Sequence, residues 1–157
     1  IVIRVAAALG RADPDNAERY GENARKTQAR IDRLDAEIAA SLKPVRSLPY
    51  IVFHDGYRYF ERHYGLNHVA AIAASPDRKP GARRLRQIRD IIRAEGAKCV
   101  FTEPQFTPSL ARALTRDTET RLAALDPLGV DIAPGPDAWF KIMRRLAESL
   151  RRCLLGG

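Results

Sequence analysis

The amino-acid sequence predicts an α/β protein: a parallel four-stranded sheet with helices on both faces, preceded by a long strut helix. Three observations carry this. After Pro44, short apolar runs alternate with amphipathic stretches in a βαβαβαβα order. The connections between the runs are too long for hairpins, which leaves parallel pairing through helical crossovers. Before Pro44, apolar or small residues recur at Ala24, Thr27, Ile31, Leu34, Ile38 and Leu42, one narrow stripe along a single helix.

Taken in order, Ile1 to Leu9 reads as a helix already under way. It contains Arg4 and has no charged lead-in, so it fits a secretory signal poorly, and a first residue other than Met suits a mature or truncated product. Asp13-Pro14-Asp15-Asn16 is a turn and helix-start cluster. The helix from Tyr20 to Leu42 follows and stops before Pro44. Its stripe is short and built partly of small residues, which suits a strut better than a coiled coil.

Strands are expected at Tyr50 to Phe53, His68 to Ala73, Lys98 to Thr102 and Thr120 to Leu125. Between and after them, helices are expected at Tyr57 to Tyr64, Gly81 to Ala94, Pro108 to Arg116 and Ala138 to Leu154. Cys99-Val100-Phe101 is nearly all apolar, as an inner strand should be. The helix from Gly81 should bury Leu85, Ile88 and Ile92. The last helix should bury Phe140, Met143, Leu146 and Leu150. At 157 residues the chain suits one domain with an added helical arm, divided as residues 1–48 and 49–157.

Composition narrows the function classes. A hydrophobic content of 45% with 29% charged residues is that of a globular chain, and no apolar run reaches the ~20 residues that span a bilayer. The net charge of +8 invites a nucleic-acid reading. Its excess, however, sits on two predicted helices, at Arg83, Arg84, Arg86, Arg89 and Arg93 and at Arg144, Arg145, Arg151 and Arg152, without interleaved aromatics. That pattern is a solvated arginine-rich face, so no nucleic-acid partner is expected.

The chemistry collects at strand ends. The dinucleotide-binding glycine motif, the phosphate loop, the nucleophile elbow and paired histidines at helical metal spacing are all missing from the sequence. His54-Asp55 follows the first strand, Glu103-Pro104-Gln105 the third and Asp126-Pro127-Leu128-Gly129 the fourth. Parallel strands bring all three to one edge, where an imidazole and several carboxylates suit a divalent metal such as zinc or manganese. Each has a plainer alternative: Asp55 as a helix cap, Asp126 as a turn-former, Glu103 as a partner of a neighbouring loop. His63 and His68 read as surface or packing residues. A hydrolase or transferase using His54 as general base, oriented by Asp55 or Asp126, is the competing enzymatic reading, and it lacks an evident nucleophile. Cys99 and Cys153 are the only cysteines, and on position alone they fit either a bridge from the tail to the sheet or two buried thiols.

Several segments together resemble the zinc-specific solute-binding proteins of bacterial ABC importers. They are Phe53-His54-Asp55-Gly56-Tyr57 with Tyr59-Phe60 and Tyr64-Gly65-Leu66, then Lys79-Pro80-Gly81-Ala82, Cys99 to Phe106, and Leu125-Asp126-Pro127-Leu128-Gly129. The resemblance implies two α/β lobes joined by a rigid helix, with metal in the cleft between them. It makes Tyr20 to Leu42 the connecting helix and residues 49–157 the C-terminal lobe. It implies His54 as a zinc ligand and Asp126 as a near or weak one, with histidine at position 54 favouring zinc over manganese. It also implies a Cys99-Cys153 disulfide, a periplasmic location, a membrane permease as partner, and further ligands from an N-terminal lobe outside this chain. A lobe lacking its mate should expose apolar surface, which predicts self-association. On this reading the chain is not an enzyme.

Overall fold

The computed structural model describes residues 1–73, 80–106 and 108–156. It divides into two compact units, Ile1–Ala40 and Ser41–Gly157.

In the first unit, helix α1 (Val2–Ala12) and most of helix α2 (Ala17–Leu42) are joined by a 3₁₀ turn at Pro14–Asn16. The junction is built by Asp13. Its Oδ2 accepts hydrogen bonds from the Tyr20 hydroxyl at 2.8 Å and the Asn16 amide at 2.9 Å. These bonds hold the Asp13 carboxyl below the usual carboxylate range. Gly10 lets the helices meet closely, since a Cβ there would lie 3.2 Å from that of Ala17. α1 buries no residue and exposes Ile1, Ile3, Val5 and Leu9. α2 starts three residues before the expected Tyr20 and runs for 26 residues, about 39 Å at the helical rise.

The second unit opens with the last residues of α2 and a 3₁₀ turn at Lys43–Val45. The alternation foreseen after Pro44 then appears as β1 (Tyr50–His54), α3 (Arg58–Tyr64), β2 (His68–Ala73), α4 (Ala82–Glu95), β3 (Cys99–Thr102), α5 (Ser109–Thr115), β4 (Arg121–Ala124) and α6 (Ala138–Leu155). All pairings are parallel and the strand order is β2-β1-β3-β4. β1 and β3 are therefore the inner pair, which explains why Tyr50–Phe53 and Cys99–Thr102 are buried throughout. Lys79 of the Lys79-Pro80-Gly81-Ala82 segment lies outside the described residues.

Register sorts the two faces. Ile51 pairs with Ala70 on one side and Val100 on the other, and these form a core with Phe53, Ile72, Ile88 and Ile92 of α4 and Leu114 of α5. The opposite face holds Tyr50, whose hydroxyl reaches Glu61 of α3, and Cys99, which is bonded to Cys153 of α6 with a Cα separation of 6.2 Å. Helices thus cover both faces. The Arg121 guanidinium closes the same C-terminal end of α6 by donating to the carbonyls of Cys153 and Leu154 at 2.7 and 3.2 Å.

Two sequence expectations need correction. Met143 is only partly buried, because α6 turns Leu146, Ala147, Leu150, Cys153 and Leu154 inward and directs Ile142 at Gly129. Leu85 of α4 packs at the margin of the core, which Ile88 and Ile92 fill.

Candidate functional site

β1 and β3 are neighbours whose crossovers leave to opposite faces, so their carboxyl ends define the switch point where open α/β sheets hold ligands. His54 is the last residue of β1 and Glu103 directly follows β3. The two side chains meet there, His54 Nδ1 against Glu103 Oε1. Glu103 is buried to 5% exposure, whereas the His54 side chain keeps 20%. The carboxylate thus stays inside while the imidazole reaches solvent. An ionised carboxylate can only accept, so with Glu103 charged and the imidazole neutral, Nδ1 is the donor of this bond and the lone pair is on Nε2.

Gly56 makes room for that nitrogen. A Cβ at position 56 would lie 2.5 Å from His54 Nε2 and 3.0 Å from Cε1. Any other residue would press on the ring edge that carries the free lone pair. Gly56 also closes the end of the strand, its amide donating to the His54 carbonyl at 2.9 Å. The aromatic rings of Tyr57 and Phe106 flank the imidazole, with centroids at 6.1 and 6.3 Å.

Electrostatics tie the group together. Burial pushes the Glu103 carboxyl up, and neighbouring Asp126 adds to this. His54 and Tyr57 oppose it by favouring the charged form. Burial also pushes the Tyr57 phenol up, aided by the charges of Glu103 and Asp126. His54, Tyr57, Glu103 and Asp126 therefore form one electrostatic neighbourhood at the carboxyl edge of the sheet.

Asp126 has an additional task. Its Oδ1 accepts from the amides of Leu128 and Gly129 at 3.1 and 2.9 Å and from the Gln105 side chain at 3.2 Å. Its Oδ2 accepts from the Val130 amide at 2.7 Å. Partial burial alone would raise this carboxyl, but the Val130, Gln105, Gly129 and Leu128 bonds outweigh it and hold the group ionised below its ordinary range. The turn-forming role expected of Asp-Pro is present, and Oδ2 retains acceptor capacity beyond its one bond.

Other expectations at this edge are revised. Asp55 does not cap α3: the N-cap residue is Tyr57, and Asp55 Oδ2 instead accepts from Arg58 at 2.6 Å. The general-base alternative relied on Asp55 or Asp126 to orient His54, yet the orienting carboxylate is Glu103. Among the described residues, no set of three His, Cys or carboxylate donors that includes His54 closes to within 4.8 Å. The set that does comprises Asp55, Glu61 and His68. Sequence reading singled out neither Glu103 as the partner of His54 nor Gly56 as its clearance. The only available signal was Glu-Pro directly after an apolar strand.

The donor chemistry suits a borderline divalent cation. A histidine held through Nδ1 by a carboxylate, with Nε2 free, is the usual preparation of a zinc-ligating imidazole. Asp126, ionised and in the same electrostatic neighbourhood, has the oxygen-donor chemistry that such an ion accepts. No helix among the described residues is long and apolar enough to cross a membrane.

Comparison with known proteins agrees with this chemistry. Residues 1–153 match the family model described as ZnuA, zinc-uptake complex component A, periplasmic. The high-affinity zinc uptake system protein ZnuA of Brucella abortus is 45% identical over 150 residues, which cover 96% of this chain and 45% of that protein. The protein of the same name from Paracoccus denitrificans is 41% identical, over 96% of this chain and 46% of its own length. Among solved structures, a crystal structure of ZnuA superposes with a TM-score of 0.80 at 28% identity, over 96% of this chain and 55% of that one. The chain therefore spans about half the length of the relatives it matches.

Proposed function

The chain belongs to the zinc-uptake complex component A family, and from that premise we propose that it is part of a periplasmic zinc-binding protein that delivers the ion to an ABC-type membrane permease. Zinc is cargo on this reading, bound and released without chemical change, and the chain is not an enzyme. His54 coordinates through Nε2. Asp126 supplies the oxygen donor from this lobe, and the remaining donors come from the other half of a protein about twice this length.

One observation carries the proposal: an imidazole at the switch point of the sheet, fixed through Nδ1 by a buried glutamate and cleared by Gly56 on its Nε2 side. Zinc is favoured over manganese because nitrogen is a softer donor than carboxylate oxygen. Two donors are fewer than the four that zinc normally takes, so the chain by itself should bind weakly.

Calorimetric titration with zinc tests this. The expected result is a dissociation constant above about 1 µM that weakens further in His54→Ala. Tighter binding by the monomer would mean that this lobe carries a complete site, and binding unaffected by His54→Ala would remove the assignment.

A further inference from the structure

We propose that the cleft between α4 and the turn from α5 to β4, lined by Arg89, Arg93, Arg116 and Asp117, binds a small protonated oxyanion of the phosphate class. The cleft measures about 240 Å³, and Ala113 completes its wall. That is smaller than the ~300–1,000 Å³ pockets that take drug-sized organic ligands, and it suits an ion. None of its lining residues belongs to the zinc site.

Local structure gathers the cations. Arg89 and Arg93 are four residues apart on α4 and so share one face of it. Like charges at that spacing repel each other. The dipole of α4 favours a cation in its last turn, which accounts for Arg93 but not for Arg89 one turn earlier. Arg116 ends α5 as its C-cap residue. In the turn that follows, the Thr118 hydroxyl donates to the Thr115 carbonyl at 2.8 Å, and Asp117 has a φ of 62°, a left-handed backbone that aspartate tolerates. Three guanidinium groups thus share the cleft with one carboxylate.

These guanidinium groups have donors to spare. Arg89 Nη2 donates to the Ala113 carbonyl at 3.3 Å, which anchors the side chain against the cleft wall and leaves its other N–H groups available. Among the described residues, the side chains of Arg93 and Arg116 have no hydrogen-bond or ion-pair partner. Arginine recognises phosphate oxygens through paired N–H donors, so a concave set of three offers the contacts a tetrahedral oxyanion needs. Asp117 decides which oxyanion. An ionised carboxylate can only accept, so it favours a ligand with a P–OH to donate and repels one without a proton. Near neutral pH, phosphate keeps a proton and sulfate does not.

Amide NMR of the whole chain, kept free of metal, tests this with inorganic phosphate, so the outcome does not depend on zinc binding. Phosphate at neutral pH should shift the amides of residues 89–93 and 113–118 along a saturating curve. In Arg93→Gln combined with Arg116→Gln, the concentration needed should rise at least about 10-fold. Arg93, Arg116 and Asp117 are exposed, so these variants keep the fold. Sulfate at matched ionic strength should need at least about 10-fold more than phosphate in the wild type, and Asp117→Asn should remove that preference. Shifts that never saturate, that spread equally to the arginines of α6, or that sulfate reproduces at the same concentration would mark general counter-ion attraction and overturn the proposal. Phosphatidylglycerol vesicles present a phosphate diester without a proton; binding to them that depends on Arg93 and Arg116 would equally overturn it, in favour of a lipid surface. Failure on any of these counts leaves the His54 assignment untouched.

Discussion

Replacing Gly56 by alanine probes the geometry of His54 without touching a donor. The new Cβ would lie 2.5 Å from Nε2, whereas ordinary contact begins at 3.4 Å, so the ring must withdraw by about 1 Å. Metal sites tolerate errors of only about 0.2 Å in ligand distance. The ring cannot pivot freely either, because Nδ1 is held by Glu103 at a buried position. Zinc affinity should therefore fall about 10–100-fold, the usual effect of disturbing the groups that orient a ligand, or about 1.4–2.7 kcal/mol. Stability should fall by about 1–3 kcal/mol, the usual cost of forcing a held ring aside, offset in part because Gly56 does not have a left-handed backbone and alanine reduces the freedom of the unfolded chain. Competition against a zinc-sensitive dye measures the first quantity and thermal denaturation the second. Combining the substitution with Glu103→Gln should show coupling, the alanine costing less once the ring is released. Wild-type zinc affinity in Gly56→Ala would refute the claim that Nε2 is the metal-facing atom.

Other expectations follow from the same framework. Reduction of the Cys99–Cys153 bond, or Cys153→Ser, should cost about 4 kcal/mol for a separation of 54 residues, read as a lower denaturation midpoint in urea. Gly129→Ala should destabilise by at least about 2 kcal/mol, because φ is 68° there and the new Cβ would meet Ile142 at 2.6 Å; a melting temperature like that of the wild type would count against this packing. Asp13 gives a pH effect of known sign. Its carboxyl is held low by Tyr20 and Asn16, so its contribution is complete above its unfolded value near 3.8 and is lost as pH falls through the lower folded value. Acid should loosen the α1–α2 junction, and Asp13→Asn should remove that dependence in a Tyr20 fluorescence titration.

The course of the chain after Pro44 was readable because a parallel sheet buried on both faces writes itself as short apolar runs between amphipathic helices. His54 stood out for the same reason, as the polar residue that ends an apolar run. Its partner was hidden. Glu103 lies 49 positions away, and the two meet only because β1 and β3 are adjacent, an order that no local pattern encodes. Gly56 was hidden as well, since the need for it arises from how near its backbone lies to an imidazole. Asp55 shows the reverse case. An acidic residue before a helical pattern reads as a cap, but the helix starts later, at Arg58, and that arginine takes the carboxylate. His68 looked like a packing residue until Glu61, seven positions earlier, was found against it.

The tie between Cys99 and Cys153 also bears on metal selectivity. These are the only sulfur atoms in the chain besides that of its one methionine, and thiolates outcompete imidazole and carboxylate for zinc. Before oxidation, two thiols with Cα atoms 6.2 Å apart would offer the ion a rival landing place at the foot of β3, away from His54 at the head of β1. Joining them withdraws that rival and leaves nitrogen and oxygen donors. If the chain carries zinc as proposed, oxidation of this pair should come before the ion binds, so that His54 and Asp126 meet no sulfur competitor.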